Sequence, residues 1–156
     1  MQHGEALSAD VDADRPLAEV GRRNVLLVAA HAAARGVRVE RIVHSGKLRA
    51  KQTAEILADE LGCRVVEQVA GLKPSDAVEA VAAAMLDPGR PGSLALVGHL
   101  PFLERLASLL VAGDSTAHVV AFRNAGLVKL AASGSDISDA PGFSVSWILT
   151  PELVLG

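Results

Sequence analysis

A strand, a turn and a helix follow one another between Val39 and Leu61, and no other stretch constrains the fold as tightly. Val39 to His44 is a short run rich in β-branched residues that ends at Ser45-Gly46, which is how a strand is delivered into a turn. Lys47 to Leu61 then places Leu48, Ala54, Ile56, Leu57 and Leu61 at helical spacing until Gly62 stops it. The same order returns later. Ser93 to Val97 is apolar throughout, as a parallel strand buried on both faces should be, and it ends in Gly98-His99. Leu100-Pro101 opens a helix that runs through Leu106, Leu109 and Val111 to Gly113.

The remaining stretches fit around these units. Leu7 to Arg15, with Asp10, Asp12 and Asp14, is a polar surface loop. Pro16-Leu17 announces a helix to Gly36 whose apolar stripe is Leu17, Val20, Asn24, Leu27, Val28 and His31, with His31 a packing residue. Cys63 to Val69 is a further strand, and Pro74-Ser75-Asp76 caps a helix through Val78, Val81 and Met85 to Asp87. Pro88 to Gly92 is a loop. Val119 to Leu130 and Phe143 to Leu149 are two strands joined by a Gly/Ser/Asp loop at one end of the sheet. Alternating strands and helices predict one α/β domain over residues 1–156, a three-layer α/β/α sandwich with a mostly parallel sheet.

Composition narrows the function classes. Half of the residues are hydrophobic, yet tyrosine is absent and Trp147 stands alone, so the core is aliphatic. A net charge of −3 with scattered Lys and Arg gives no general basic field for nucleic acid or membrane. Cys63 is the only cysteine, which rules out an intramolecular disulfide and a cysteine zinc site; a reducing, cytoplasmic setting follows. No apolar run reaches the roughly 18 residues that span a bilayer, and no signal-peptide pattern opens the chain. Oligomeric state leaves no signal of its own.

Ligands of open parallel sheets bind outside the carboxyl ends of the strands. Three polar groups are expected at that edge: His3 in the opening Gln2-His3-Gly4-Glu5-Ala6 turn, Arg49 after the Ser45 turn, and His99. Taken singly, His-Gly-Glu arises by chance, Arg49 could be a solvated charge and His99 a satisfied core histidine.

Their order carries more. His3-Gly4-Glu5-Ala6, Arg15-Pro16-Leu17, the block from Ser45 through Arg49-Ala50-Lys51-Gln52-Thr53-Ala54, and Val97-Gly98-His99-Leu100-Pro101 resemble the successive motifs of the histidine phosphatase superfamily, in its compact SixA-type, phosphohistidine phosphatase branch. The resemblance extends to about Leu110 and implies a phosphoglycerate-mutase-like fold without a large lid insertion. It implies that His3 is the nucleophile, its other ring nitrogen held by a backbone carbonyl. Arg49 would grip two phosphoryl oxygens with its planar fork, and His99 would donate to the same group. Gln2, Gly4 and Arg15 would contribute to substrate binding. No metal or other cofactor is expected, because phosphoryl transfer depends chiefly on positioning and electrostatic stabilisation. Glu5 is the candidate general acid, with Asp14 a weaker one.

Two departures from the family pattern bear on this expectation. The motif begins Arg-His-Gly, whereas Gln2 precedes His3 here; a lost charged partner removes about 1.5 to 3 kcal/mol of interaction, and Arg15, folded over the pocket, is the candidate compensator unless it only pairs with Asp12 or Asp14. The family also runs an apolar strand into the His-Gly turn, and only Met1 precedes Gln2. The first sheet strand is therefore expected upstream of Met1.

Little sequence separates Arg49 from His99, so the site is expected to be open. An open site suits a phosphorylated protein, such as a histidine-phosphotransfer domain in two-component signalling. The alternatives are a phosphatase of small phosphomonoesters, a non-catalytic phosphate-binding regulatory domain on the same fold, and an α/β domain whose histidines only pack.

Overall fold

Residues 1–87, 92–132 and 142–155 are described by a computed structural model of the chain. Among them, β1 (Arg41–His44), β2 (Val66–Gln68) and β3 (Leu94–Val97) form a parallel sheet in the order β2-β1-β3. Ile42 aligns with Val66 on one side and Ala95 on the other. Side chains along β1 alternate between two cores. Ile42 joins Val25, Val28, Ala54 and Leu57 below the sheet, and Val43 joins Leu72, Phe102 and Leu106 above it. Helices α1 (Glu19–Ala34) and α2 (Leu48–Leu61) cover the first face, α3 (Glu79–Leu86) and α4 (Phe102–Ala112) the second, so the three layers are present. Burying Phe102 completely contributes about 2 to 3 kcal/mol to the second core.

A second, antiparallel pair, β4 (Leu127–Ala132) and β5 (Phe143–Leu149), lies beyond β3 and is followed by a short helix, α5 (Pro151–Leu155). Met1 to His3 join the two sheets as extended chain. The Gly98 amide donates to the Met1 carbonyl, His3 N–H donates to Gly98, Gln2 N–H donates to Gly126, and Ala125 N–H donates to His3. The first residues thus occupy a position between the parallel and antiparallel pairs, and His3 leaves it at the carboxyl edge of β3.

Several local expectations need correction. The α1 stripe is rotated and finer-grained than predicted: Gly21, Val25, Val28, Ala29 and Ala32 are buried, while Val20 and Leu26 are exposed. Small residues face inward because α1 lies close to α2 and to the opening turn, where a Cβ on Gly4 would stand 2.7 Å from the Gly21 carbonyl oxygen. Leu17 is buried outside the helix, beside Ala6 in an isolated antiparallel bridge. The α3 cap is absent: Asp76 instead accepts from the Lys73 amide, and helix begins only at Glu79. Residues 119–126, expected as strand, form a loop that closes over His3. The expected loop at 88–92 and the connection between β4 and β5 fall largely outside the described residues. No described helix is long and apolar enough to cross a membrane.

Candidate active site

Three chain segments converge at the carboxyl ends of β1 and β3. The turn after β1 is held by its own sequence: Gly46 adopts a left-handed φ of 81° and its amide donates to His44 Nδ1. Helix α2 therefore starts at Leu48 and carries Arg49 in its first turn. Thr53, one turn on, bonds back to the Arg49 carbonyl and accepts the Gly4 amide on the same hydroxyl. Gln52 accepts the Leu17 amide. The Gln52-Thr53 pair thereby fastens α2 to the first residues of the chain.

His3 is held in one tautomer. Its Nδ1 lies 2.6 Å from the Gly4 carbonyl oxygen, an acceptor only, so Nδ1 carries the proton and the Nε2 lone pair is free. Arg49 Nε donates to that Nε2 at 3.2 Å. Desolvation lowers the His3 pKa foremost; the Gly4 bond opposes this, the Arg49 and Arg15 charges lower it further, and Glu5 raises it. The ring is thus kept neutral and nucleophilic below the usual histidine range.

His99 stands beside it, with ring centroids 4.8 Å apart and planes tilted by 58°. It is almost wholly buried, and its Nε2 is 2.6 Å from Ser45 Oγ. Burial, reinforced by His3, Arg49 and Lys47, lowers its pKa to about 3, so it is neutral at physiological pH. The Ser45 hydroxyl can donate to or accept from Nε2, and the other ring nitrogen, Nδ1, is buried without a partner among the described residues. A buried polar atom left unpaired costs about 1 to 3 kcal/mol.

Gln2 is turned toward the 119–126 loop. Its Nε2 donates to Asn124 Oδ1 at 2.5 Å while its Oε1 is buried without a partner among the described residues. Reversing both amides keeps the bond and exchanges the orphaned acceptor for an N–H donor. Glu5 meets Asn24 Nδ2 at 3.5 Å and lies close enough to raise the His3 pKa. Arg15 has a left-handed φ of 51° and its Nε donates to the Leu7 carbonyl. It forms no ion pair with Asp12 or Asp14 among the described residues, and its charge reaches both His3 and Arg49.

His3, Arg49 and His99 therefore meet as expected. Ser45, Thr53 and Asn124 join them without having been singled out. Ser45 and Thr53 lay within the block around Arg49, where position alone gave no role; Asn124 had no local signal.

The histidine phosphatase superfamily (branch 1) model matches residues 2–77. An uncharacterized protein of Picosynechococcus sp. is 33% identical over 147 residues, covering 92% of this chain and 88% of that relative. The chain belongs to the histidine phosphatase superfamily. Within it the chain is of the SixA type: the protein histidine phosphatase SixA, solved with tungstate, is 27% identical with a TM-score of 0.83 over 99% of this chain and 96% of that one. SixA from Agrobacterium tumefaciens shares the fold, at 23% identity and a TM-score of 0.76 over 96% and 94% of the two chains. So does a mycobacterial glucosyl-3-phosphoglycerate phosphatase, at 17% and 0.66 over 93% and 94%. This histidine phosphatase is a hydrolase of phosphoryl groups on a compact phosphoglycerate-mutase-like fold.

Proposed function

We propose that this protein removes the phosphoryl group from protein phosphohistidine, without a metal, through a phosphohistidine intermediate on His3. The observation that carries the proposal is the tautomer lock: Gly4 takes the Nδ1 hydrogen, and Nε2 faces Arg49. The Nε2 lone pair forms a bond to phosphorus as the substrate's P–N bond breaks, and the departing imidazole nitrogen takes a proton from Glu5 or from water. Water then attacks phosphorus as the Nε2–P bond breaks, its proton passing back to the group that protonated the leaving imidazole, and inorganic phosphate leaves with His3 neutral again. Arg49, with the His99 ring beside it, stabilises the charge on the phosphoryl oxygens through both steps. Gln2 stands in place of the family's arginine and is engaged by Asn124, Arg15 adds positive charge at the border of the site, and Gly4 lets the turn pass under α1.

Two features favour a phosphorylated protein as substrate. The pockets on either side of the Ser45-Gly46 turn, one of them walled by Arg49, are not enclosed, and among the described residues β2 and α3 are the regular elements between α2 and β3. A phosphoryl group on a folded partner, such as a histidine-phosphotransfer domain, can reach such a site. A phosphoramidate also makes a lighter demand on a general acid than an ester does, in keeping with a Glu5 engaged by Asn24.

The test is phosphate release from a phosphohistidine protein, compared with release from small phosphomonoesters. Faster turnover of the phosphohistidine protein, lost in His3→Ala, is expected. Equal or faster turnover of the phosphomonoesters would contradict the substrate, and undiminished turnover in His3→Ala would contradict the mechanism.

A further inference from the structure

Two pockets flank the Ser45-Gly46 turn, and their charge differs. One, of about 460 Å3, is lined by Gln68, Leu72, Lys73 and Asp76 among others, so that a single cation meets a single carboxylate. The other, of about 450 Å3, brings Arg15, Lys47, Arg49 and Lys51 together with only Asp14 to oppose them. This concentration is local, because the chain as a whole carries a net charge of −3. Arg49 lines the cationic pocket and also donates to His3 Nε2, so the pocket and the phosphoryl site share a wall.

These cations are poorly neutralised by the protein itself. Lys51 meets Glu55 at 3.8 Å with both side chains about half exposed, a pair of little strength in water. Lys47 and Arg15 form no ion pair among the described residues. Lys47 and Lys51 lie one helical turn apart at the start of α2, with the Lys51 amide bonded to the Lys47 carbonyl, so their side chains leave the same face. A single phosphoryl group is already served by Arg49, His99 and the opening turn. The additional positive charge is placed for a second anion, which relieves the mutual repulsion of the cations when it enters.

We infer that the pocket formed by Arg15, Lys47 and Lys51 binds a second anionic group of the substrate: the carboxylate of an acidic residue flanking the phosphorylated histidine. The enzyme thereby selects acid-flanked phosphohistidine and orients it with its acidic side toward the start of α2. This inference rests on the phosphatase assignment of His3. On a helical substrate, acidic residues three or four positions from the phosphohistidine lie on the same face and reach the pocket together with the phosphoryl group.

The experiment uses two phosphohistidine peptides, identical except for Glu or Gln three and four positions from the phosphohistidine. Affinity is measured with His3→Ala protein, and with the same protein carrying Lys47→Gln and Lys51→Gln singly and together. The Glu peptide is expected to bind roughly fivefold more tightly at low salt. That preference should fall below about twofold in the double lysine variant and in high salt, where the Debye length shrinks to about 3 Å. Equal affinity for the two peptides, or a preference that survives the double substitution, would overturn the pocket. Turnover by protein with His3 intact separates the two assignments: a Glu preference in binding without turnover of either peptide overturns the phosphatase reading, while turnover without a Glu preference overturns the pocket alone.

Discussion

The floor and the rim of the active site are built on opposite terms. On the floor, Ser45, Thr53 and His99 are buried and His3 half-buried, they interlock through a backbone carbonyl, hydroxyls and ring nitrogens, and both histidines are kept neutral by desolvation. On the rim, Arg15, Lys47 and Lys51 stand in an open pocket with weak partners or none among the described residues. A low local dielectric makes each floor contact strong and its loss expensive, whereas solvent screens every rim contact. In the account proposed above, fixed geometry near phosphorus sets the rate and the cationic border sets the choice of substrate.

Arg49 belongs to both regions, and its replacement should have the largest effect among the residues that assist His3. Arg49→Ala is expected to lower kcat/KM by about 10²- to 10³-fold, and Arg49→Lys to recover only part of it, because a lysine cannot present a fork to two oxygens. Full recovery by lysine would show that charge alone matters at this position and would blur the contrast between floor and rim. Gly21→Ala tests the floor's foundation without touching a reacting group. The added methyl meets the Glu5 backbone, so a loss of about 1 to 3 kcal/mol in denaturant unfolding is expected, together with slower turnover as the His3 turn shifts.

Ser45→Ala removes the hydroxyl that meets His99 Nε2. Turnover is expected to fall roughly tenfold, with Ser45→Thr restoring most of it; an unchanged rate would mean that His99 is oriented by something else.

The pH dependence of stability follows from the same burial. His99 has a folded-state pKa of about 3, below its unfolded value of 6.5, so the unfolded chain binds the additional proton between those two values. Stability should therefore be complete above pH 6.5 and decline as pH falls toward 3. In His99→Gln that slope should be shallower, which urea unfolding at a series of pH values would read.

The smallest effect belongs to the rim. Arg15 is one of the cations that depress the His3 pKa, so Arg15→Gln should move the acid limb of the kcat/KM profile upward by a few tenths of a pH unit. A large loss of rate in this variant would place Arg15 on the floor instead.

What was legible in the sequence divides along similar lines. Strands β1 and β3 and the helices after them were readable because apolar runs, glycine stops and helical spacing are local signals. Their places at or after strand ends made His3, Arg49 and His99 possible neighbours, and the resemblance of their ordered motifs to the family joined them. Asn124 could not, since its partner Gln2 is 122 positions away and the loop between α4 and β4 has no period. The face of α1 was misjudged for a different reason. Gly21, Ala29 and Ala32 pack inward because the helix approaches its neighbours closely, while Val20 and Leu26 face solvent. A hydrophobic stripe marks where large side chains are needed, and it misses a contact that depends on small ones.

The most direct test is to catch the phosphoryl group on the enzyme. Protein mixed with a phosphohistidine substrate and quenched rapidly in base, where a phosphoramidate survives, should carry one acid-labile phosphoryl group, mapped by mass spectrometry to the peptide containing His3 and located on Nε2. Steady turnover with no label on His3 at any quench time, together with equal turnover by His3→Ala, would contradict the account.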